Sequence, residues 1–340
     1  MERTLTPAAP PPRSAMNAQR LRLVLWQAVA FGVVGVGVFL LLRATSQNLH
    51  ARGIASGFDF LHAVARVPVA NASLSFESGQ DSYARALLIG VVNTLKISFA
   101  AIALATVLGV LVGSGRLSAN PLVRAVCATY VEVMRNVPVL LHIFIWYQLA
   151  INLPGPTDAY NPFGLFIASN RGIFLPSLHW ELGQWLPAFE IPKVDGFDVA
   201  GGIGMSPEYA ALLIGISTYA ASFIAEIVRG AILAIPHGQW EAGGSIGLTR
   251  GVVFRKVVLP QAARLSMPPV TSEYLGILKN SSLAVAIGYQ DVVAIGNSVL
   301  FETGQAIEVV GLIMLFYVVV SLAVSGLMEL VQRHFASQGR

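Results

Sequence analysis

Glu226-Ile-Val-Arg-Gly-Ala-Ile-Leu-Ala-Ile-Pro-His-Gly-Gln-Trp-Glu-Ala-Gly-Gly-Ser-Ile-Gly-Leu-Thr-Arg250-Gly, continued by Phe254-Arg-Lys-Val-Val-Leu-Pro-Gln261, is a charged stretch lying between two apolar runs of the chain. Pro236 and Gly238 mark a turn. Gln239 to Leu248 can then form a short helix with Glu241 in its first turn, where a carboxylate favours the helix N-terminus. Gly243, Gly244 and Gly247 leave parts of that helix nearly bare, a surface that another protein's backbone can approach closely. On these residues alone, a loosely packed linker is an equally good reading.

The flanks of this stretch decide the solvent. The 340 residues are 55% hydrophobic and only 12% charged, with a mean hydropathy of +0.66. Leu23 to Leu42, Ile97 to Gly115, Asn136 to Thr157, Tyr209 to Ala225 and Val309 to Met328 contain no Asp, Glu, Lys or Arg. Runs of about 17 to 22 residues, at 1.5 Å per residue, match a hydrocarbon layer of about 30 Å. Leu265 to Gly288 is a sixth candidate, apolar apart from Glu273 and Lys279, with Pro268 and Pro269 near its start. The expectation is an all-α polytopic membrane protein of about six transmembrane helices.

Orientation follows from the 22 Lys and Arg, because cytoplasmic loops carry an excess of positive charge. With the N-terminus inside, the cytoplasmic pieces hold Arg116 and Arg124 in one loop and Arg229, Arg250, Arg255, Lys256 and Arg264 in another, besides the terminal arginines. The outer pieces hold only Arg43, Arg52, Arg66, Arg85, Arg171 and Lys193. Both termini are therefore expected in the cytoplasm. The chain divides into a disordered N-terminus (1–22, with Pro and Ala alone over Pro7 to Pro12), a first span (23–42), an outer segment (43–88) and a core (89–333). Within the core lie an outer insertion, 153–208, and the cytoplasmic loop, 231–262. The insertion is rich in Gly, Pro and aromatics, which suits a structured loop; its apolar piece Phe163 to Ser169 is too short to span.

Several function classes drop out. The net charge of +4 reflects membrane orientation, and no basic patch with interleaved aromatics argues for nucleic acid. Cys127 is the single cysteine, so neither an intramolecular disulfide nor a cysteine metal site can be built. A phosphate-binding P-loop needs Gly-Lys-Ser/Thr, whereas Lys96, Lys193, Lys256 and Lys279 follow Leu, Pro, Arg and Leu. No catalytic or metal-ligand constellation is expected, and ATP hydrolysis would have to come from a partner.

Glu241-Ala242, then Gly247, Val257 and Leu259-Pro260 resemble the EAA loop of bacterial ABC importer permeases, whose pattern is E-A-A, three residues, G, nine residues, I-x-L-P. Gly243 departs from the third motif position, usually Ala, and Val257 replaces Ile. Tyr219-Ala-Ala-Ser-Phe-Ile-Ala-Glu-Ile-Val-Arg-Gly-Ala-Ile, Ile235-Pro, Gly238-Gln-Trp-Glu-Ala and Leu278-Lys-Asn-Ser-Ser-Leu are similar to polar amino acid permeases of the histidine and glutamine type. The likeness covers about Gly90 to Trp146 and Pro207 to Arg333. The extra first span and Asn170 to Pro176 look more like the general L-amino acid permease branch. The resemblance implies a type I importer permease fold and transport of polar L-amino acids across a bacterial inner membrane. It further implies docking of Gln239, Glu241, Ala242, Gly243, Gly247, Leu259 and Pro260 on a separate ATPase dimer, which binds the ATP. A second permease subunit, a related chain or a second copy, and a periplasmic amino-acid-binding protein would complete the system, embedded in membrane lipid.

Ionisable groups in a bilayer mark either a pathway or a pairing. Lys279, Asn280, Ser281 and Ser282 place one cation and three hydrogen-bonding side chains at about the middle of the fifth span, where a substrate carboxylate could be met. A structural break of the helix is the competing reading. Glu132 and Arg135 share a helix face just before Pro138, which removes a backbone donor and kinks the helix; Arg135 either neutralises Glu132 or helps line the route. Asn93, Thr94 and Lys96 read as interfacial or as part of the route, and His142 as a hydrogen-bonded packing residue. An ion-gradient-driven carrier using Lys279 or Glu273 is the alternative mechanism; it gives no reason for the Glu241 loop.

Overall fold

A computed structural model describes residues 25–37, 39–40, 43–44, 47–48, 56–70, 73–179 and 188–337. The chain forms two units, Met1–Gly57 and Phe58–Arg340. In the first, Leu25–Gly37 (α1) is an apolar helix inside the expected first span; the expected disordered tail, 1–22, lies outside the described residues.

The second unit is built on helices α2 (Tyr83–Gly115), α3 (Pro121–Asn136), α4 (Val139–Ile151), α5 (Pro207–Leu233), α6 (His237–Ser245), α7 (Arg250–Val253), α8 (Leu259–Asn280), α9 (Val292–Thr303) and α10 (Ala306–Ser337). Among the described residues, α2, α5 and α10 are long and apolar enough to cross a membrane alone. Two bent pairs add up to two more spans: α3 with α4, bent by 105°, and Arg250–Ile287 with α9, bent by 53°.

These breaks correct the sequence reading, and each has a local cause. The run Asn136 to Thr157 is not one kinked span. Val137 is extended (φ −103°, ψ 132°), the conformation that a following proline imposes, so α3 ends and α4 leaves in a new direction. The run Leu265 to Gly288 is not one helix either. It passes at Ser281–Ile287 into a 3₁₀ turn and stops at Gly288, whose φ of 79° suits glycine. Asp291 then restarts the chain as α9, its Oδ1 accepting from the Val293 and Ala294 amides at 3.1 and 2.8 Å. At 12 residues, α9 is too short to register as a span, and the sequence reading missed it. In the other direction, α2 starts at Tyr83 rather than Ile97. Arg85 and Lys96 interrupt its uncharged run without breaking the helix, since Ser82 caps it and Arg85 bonds back to the Ser75 carbonyl at 2.8 Å.

The insertion between α4 and α5 folds as short antiparallel strands: β1 (Ile167–Ser169), β2 (Gly172–Leu175), β3 (Ser177–His179), β4 (Ala188–Glu190), β5 (Lys193–Asp195), β6 (Asp198–Ala200) and β7 (Ile203–Met205). They pair as β1-β2-β7, β3-β4 and β5-β6. The apolar piece 163–169 thus contributes a sheet strand. Because β7 leads directly into α5 and α6 follows it, the sheets and α6 lie at opposite ends of α5.

Lipid chains are as apolar as leucine, so helices in a bilayer are held together by close packing and hydrogen bonds rather than by hydrophobicity. Gly109-Val-Leu-Val-Gly113 supplies the close approach of α2 to α5: a Cβ at Gly109 would sit 2.6 Å from Ile224 Cβ, and one at Gly113 2.6 Å from the Ala225 carbonyl oxygen. Ile97, Ile143, Leu212, Ile216, Ile224 and Ile277 fill the core around this seam. Tyr130 donates to the Thr218 carbonyl at 2.6 Å, and the Thr106 and Tyr274 hydroxyls meet at 2.8 Å, tying α3 to α5 and α2 to α8.

Candidate functional site

The loop quoted first folds as a helical bracket. Glu241 lies mid-helix in α6 rather than in its first turn, and α6 ends where Gly247 takes a φ of 82°. A π-helical turn, Phe254–Val258, joins α7 to α8. Trp240 stacks on Phe254 with ring centroids 6.2 Å apart, over a small core of Ala231, Ile235, Val253, Val258 and Ala262. This core fixes which face of α6 is free. Gln239, Glu241, Ala242 and Gly247 are exposed, as are Leu259 and Pro260. Gly243 is buried, and a Cβ there would lie 2.5 Å from Val253 Cγ2. The departure at the third motif position therefore has a cause within this chain: Val253 occupies the space an alanine methyl would need. Of the seven residues expected in the coupling loop, six are exposed and Gly243 faces inward. Exposed His237 and Glu241 approach within 3.1 Å, a contact that contributes little in water.

At the same end of the bundle, Arg116, Glu132, Arg135, Asn136, Phe223 and Glu226 line a polar cavity of about 530 Å³. Arg116 at the end of α2 and Arg229 of α5 both bond to Glu226, joining the two helices in one ion cluster. The spacing of Glu226 and Arg229 is visible in the sequence; the arrival of Arg116 needs the α2–α5 seam. Glu132 and Arg135 both line the cavity, and Arg135 lies over the Phe223 ring, 4.9 Å from its centroid. His142 is buried at the α3–α4 break, its ring nitrogens facing the Pro138 carbonyl oxygen (3.2 Å) and Met134 Sδ (3.1 Å).

The four residues Lys279 to Ser282 sit elsewhere. They lie at the end of α8 rather than mid-helix, and none of them lines the cavity of Arg135. The Ser281 and Ser282 hydroxyls donate to the carbonyls of Leu278 and Lys279, each at 2.7 Å. Both hydroxyls are thus engaged where the helix tightens to 3₁₀. Lys279 itself is exposed.

Near the opposite end of α5, toward the sheets, a second cavity of about 310 Å³ lies between α2, α5, β7 and the segment before α9. Lys96 enters it with its Nζ 5.2 Å from the centroid of the Tyr209 ring. The pairing of Lys96 with Tyr209 escaped the sequence reading, because the two residues belong to different spans.

Unbroken and broken membrane helices around a polar interior, with a short exposed helix on the loop at one end, make up a multi-pass membrane permease. Over residues 105–338 the chain matches the family described as binding-protein-dependent transport system inner membrane component, and it belongs to that family. It is 38% identical to YhdX of Escherichia coli strain K12, with 93% of this chain and 94% of that protein aligned. It is 36% identical to the general L-amino acid transport system permease protein AapQ of Rhizobium johnstonii, over 92% of each. Among solved structures, a crystal structure of an amino acid ABC transporter with histidines superposes with a TM-score of 0.55 at 23% identity, covering 74% of this chain and 95% of that one. The inward-facing MetNI methionine ABC transporter superposes with a TM-score of 0.51 at 18% identity, covering 74% and 97%. These two likenesses carry the fold.

Proposed function

We propose that this chain is the permease subunit of an ATP-driven importer of polar L-amino acids in a bacterial inner membrane. The observation that carries the reading is α6, a helix anchored by Trp240, Gly243 and Val253 that presents Gln239, Glu241, Ala242 and Gly247 outward. A separate ATPase dimer, which binds the ATP, docks on that face together with Leu259 and Pro260. Its closure moves α6, and the stacked Trp240–Phe254 contact passes the movement into the π-helical turn and α8. The α6 end and both termini are cytoplasmic, and the sheets face the periplasm. There a binding protein delivers the amino acid, and a second permease subunit, a related chain or a second copy, completes the pore. Arg135 lines the inner part of the route, and Lys279 to Asn280 border it at the break after α8. The names of the similar proteins support amino acids as the cargo. An ion-driven carrier has no use for α6.

The test is uptake of labelled L-glutamine and L-glutamate into proteoliposomes that hold this chain, its partner permease and its ATPase, with the binding protein outside. Uptake is expected only with ATP inside the ATPase-bearing compartment. Replacing Glu241 and Gly247 together by alanine is expected to cut it at least tenfold and to weaken retention of the ATPase on a column. Uptake that proceeds without nucleotide, or that survives the double replacement, would sink the reading.

A further inference from the structure

Lys96 sits about 30 Å along α2 from Arg116 at 1.5 Å per residue, close to the full thickness of a hydrocarbon core. That places it at the far boundary, where a lysine either pairs with a carboxylate or reaches for water. Among the described residues Lys96 forms no ion pair, and none of those lining its cavity is acidic. Its neighbour is instead the Tyr209 ring, which steadies an ammonium without neutralising it. The other polar side chains of the cavity are partly engaged. Ser73 donates to Asn93 Oδ1 at 2.7 Å, the Tyr289 hydroxyl donates to the Asn93 carbonyl at 3.3 Å, and Ser206 Oγ accepts from the Tyr209 amide at 3.2 Å. Three donors are left on residues that line the hollow: the Lys96 ammonium, the Ser206 O–H and the Tyr209 hydroxyl. A volume of about 310 Å³ is at the lower end of the range for small-molecule sites.

We infer that this hollow is a capture site for a small carboxylate, the α-carboxylate of the transported amino acid, held by Lys96 with the Tyr209 hydroxyl as second donor. The inference rests on the importer reading above. A ring-steadied cation beside a hydroxyl gives a charge-assisted pair of contacts to one carboxylate. Asn93 positions the wall: its amide donates to the Gln290 carbonyl at 2.8 Å while its own oxygens hold Ser73 and Tyr289. The site lies at the sheet-bearing end of α5, where the proposed orientation has the solute arriving. A carboxylate side chain of a docked binding protein offers the same chemistry. The hollow between β7 and the helices has room for a whole small solute, about 310 Å³, which favours a free solute over a single side chain reaching in from a protein surface.

The full complex with wild-type chain, Lys96→Met, Lys96→Arg and Tyr209→Phe is assayed for ATP-dependent uptake of L-glutamine at saturating binding protein, with co-sedimentation of the binding protein measured in parallel. Uptake is expected to fall at least tenfold in Lys96→Met and three- to fivefold in Tyr209→Phe, to stay within threefold of wild type in Lys96→Arg, and docking to be unchanged throughout. Uptake within twofold of wild type in Lys96→Met overturns the site. A loss of docking that parallels the loss of uptake also overturns it, assigning the carboxylate to the partner protein. Should Lys96→Met fail to reach the membrane, normal uptake by Tyr209→Phe together with loss in Lys96→Arg would count against the site. A wild-type complex that moves no amino acid fails the importer reading itself, an outcome distinct from failure in the variants alone.

Discussion

The cavities of Lys96 and Arg135, at opposite ends of α5, are built on opposite electrostatic plans. Near α6, Arg116 and Arg229 share the carboxylate of Glu226, and Arg135 rests on an aromatic face beside Glu132. Near the sheets, Lys96 has an aromatic face and, among the described residues, no carboxylate. The difference separates two uses of charge in a membrane. Where cations come with their counter-ion they join helices, and removing the counter-ion leaves charge stranded in a medium that solvates it poorly. Where a cation is left uncompensated inside a hollow, as in the proposed capture site, the proposed missing partner is a ligand, and the helices would then not depend on it for their packing.

The largest expected effect comes from breaking the first plan. Glu226→Ala leaves Arg116 and Arg229 facing each other across the α2–α5 contact. Their side chains are 15% and 30% exposed, so the loss should fall short of a fully buried pair, at about 2–3 kcal/mol. Thermal unfolding of the solubilised complex and the amount of chain in membranes measure it. By contrast Lys96→Met should leave both quantities close to wild type. If the two variants lost stability equally, the distinction between structural and ligand-facing charge would collapse.

A smaller effect sharpens the same point at the seam that brings Arg116 to Glu226. Gly113→Ala puts a Cβ 2.6 Å from the Ala225 carbonyl oxygen, a backbone atom that cannot rotate aside. The helices must separate, with an expected cost of about 1–3 kcal/mol, typical of overpacking. Separation there lengthens the Arg116–Glu226 contact as well, so Gly113→Ala combined with Arg116→Ala should destabilise less than the sum of the two single changes. Full additivity in unfolding measurements would show that the ion cluster does not depend on the glycine seam.

How far such features were readable beforehand depends on their span in sequence. The apolar runs, the charge asymmetry and the Glu241 to Pro260 spacing are local, and they sufficed for the membrane fold class and for a short exposed helix in that loop. Breaks were half legible. Pro138 announces an interruption, but the 105° turn follows from what α4 packs on, with Gly215 of α5 against the Ile143 backbone. The end of α8 carries no proline at all; its 3₁₀ turn is marked only by Ser281, Ser282 and Gly288, and the two serines read equally well as substrate contacts. Lys96 with Tyr209, and Arg116 with Glu226, join residues more than a hundred positions apart. Nothing in the residues themselves announces such pairs, and no spacing rule could assemble them.

Gly243 offers the mildest test, and it again sets a local pattern against a tertiary contact. By pattern, the third motif position should be alanine, which also gains about 0.8–1 kcal/mol over glycine in a helix interior. By packing, an alanine methyl meets Val253 Cγ2 at 2.5 Å and Cγ1 at 3.0 Å. Valine is stiff at χ1 and cannot swing away without strain. The overpacking cost of about 1–3 kcal/mol should therefore outweigh the helix gain by about 1 kcal/mol, tilting α6 off its core and slowing uptake two- to threefold in Gly243→Ala. Shortening the neighbour should reverse the sign. Gly243→Ala with Val253→Ala removes the clash and keeps the helix gain, so uptake should recover to at least that of Val253→Ala alone. If Gly243→Ala by itself transports as fast as wild type or faster, the motif alone governs this position and the Val253 contact is incidental. If the double variant is slower than either single one, the glycine is needed for a surface that the ATPase touches, and its place on the buried face of α6 is not the one it holds during coupling.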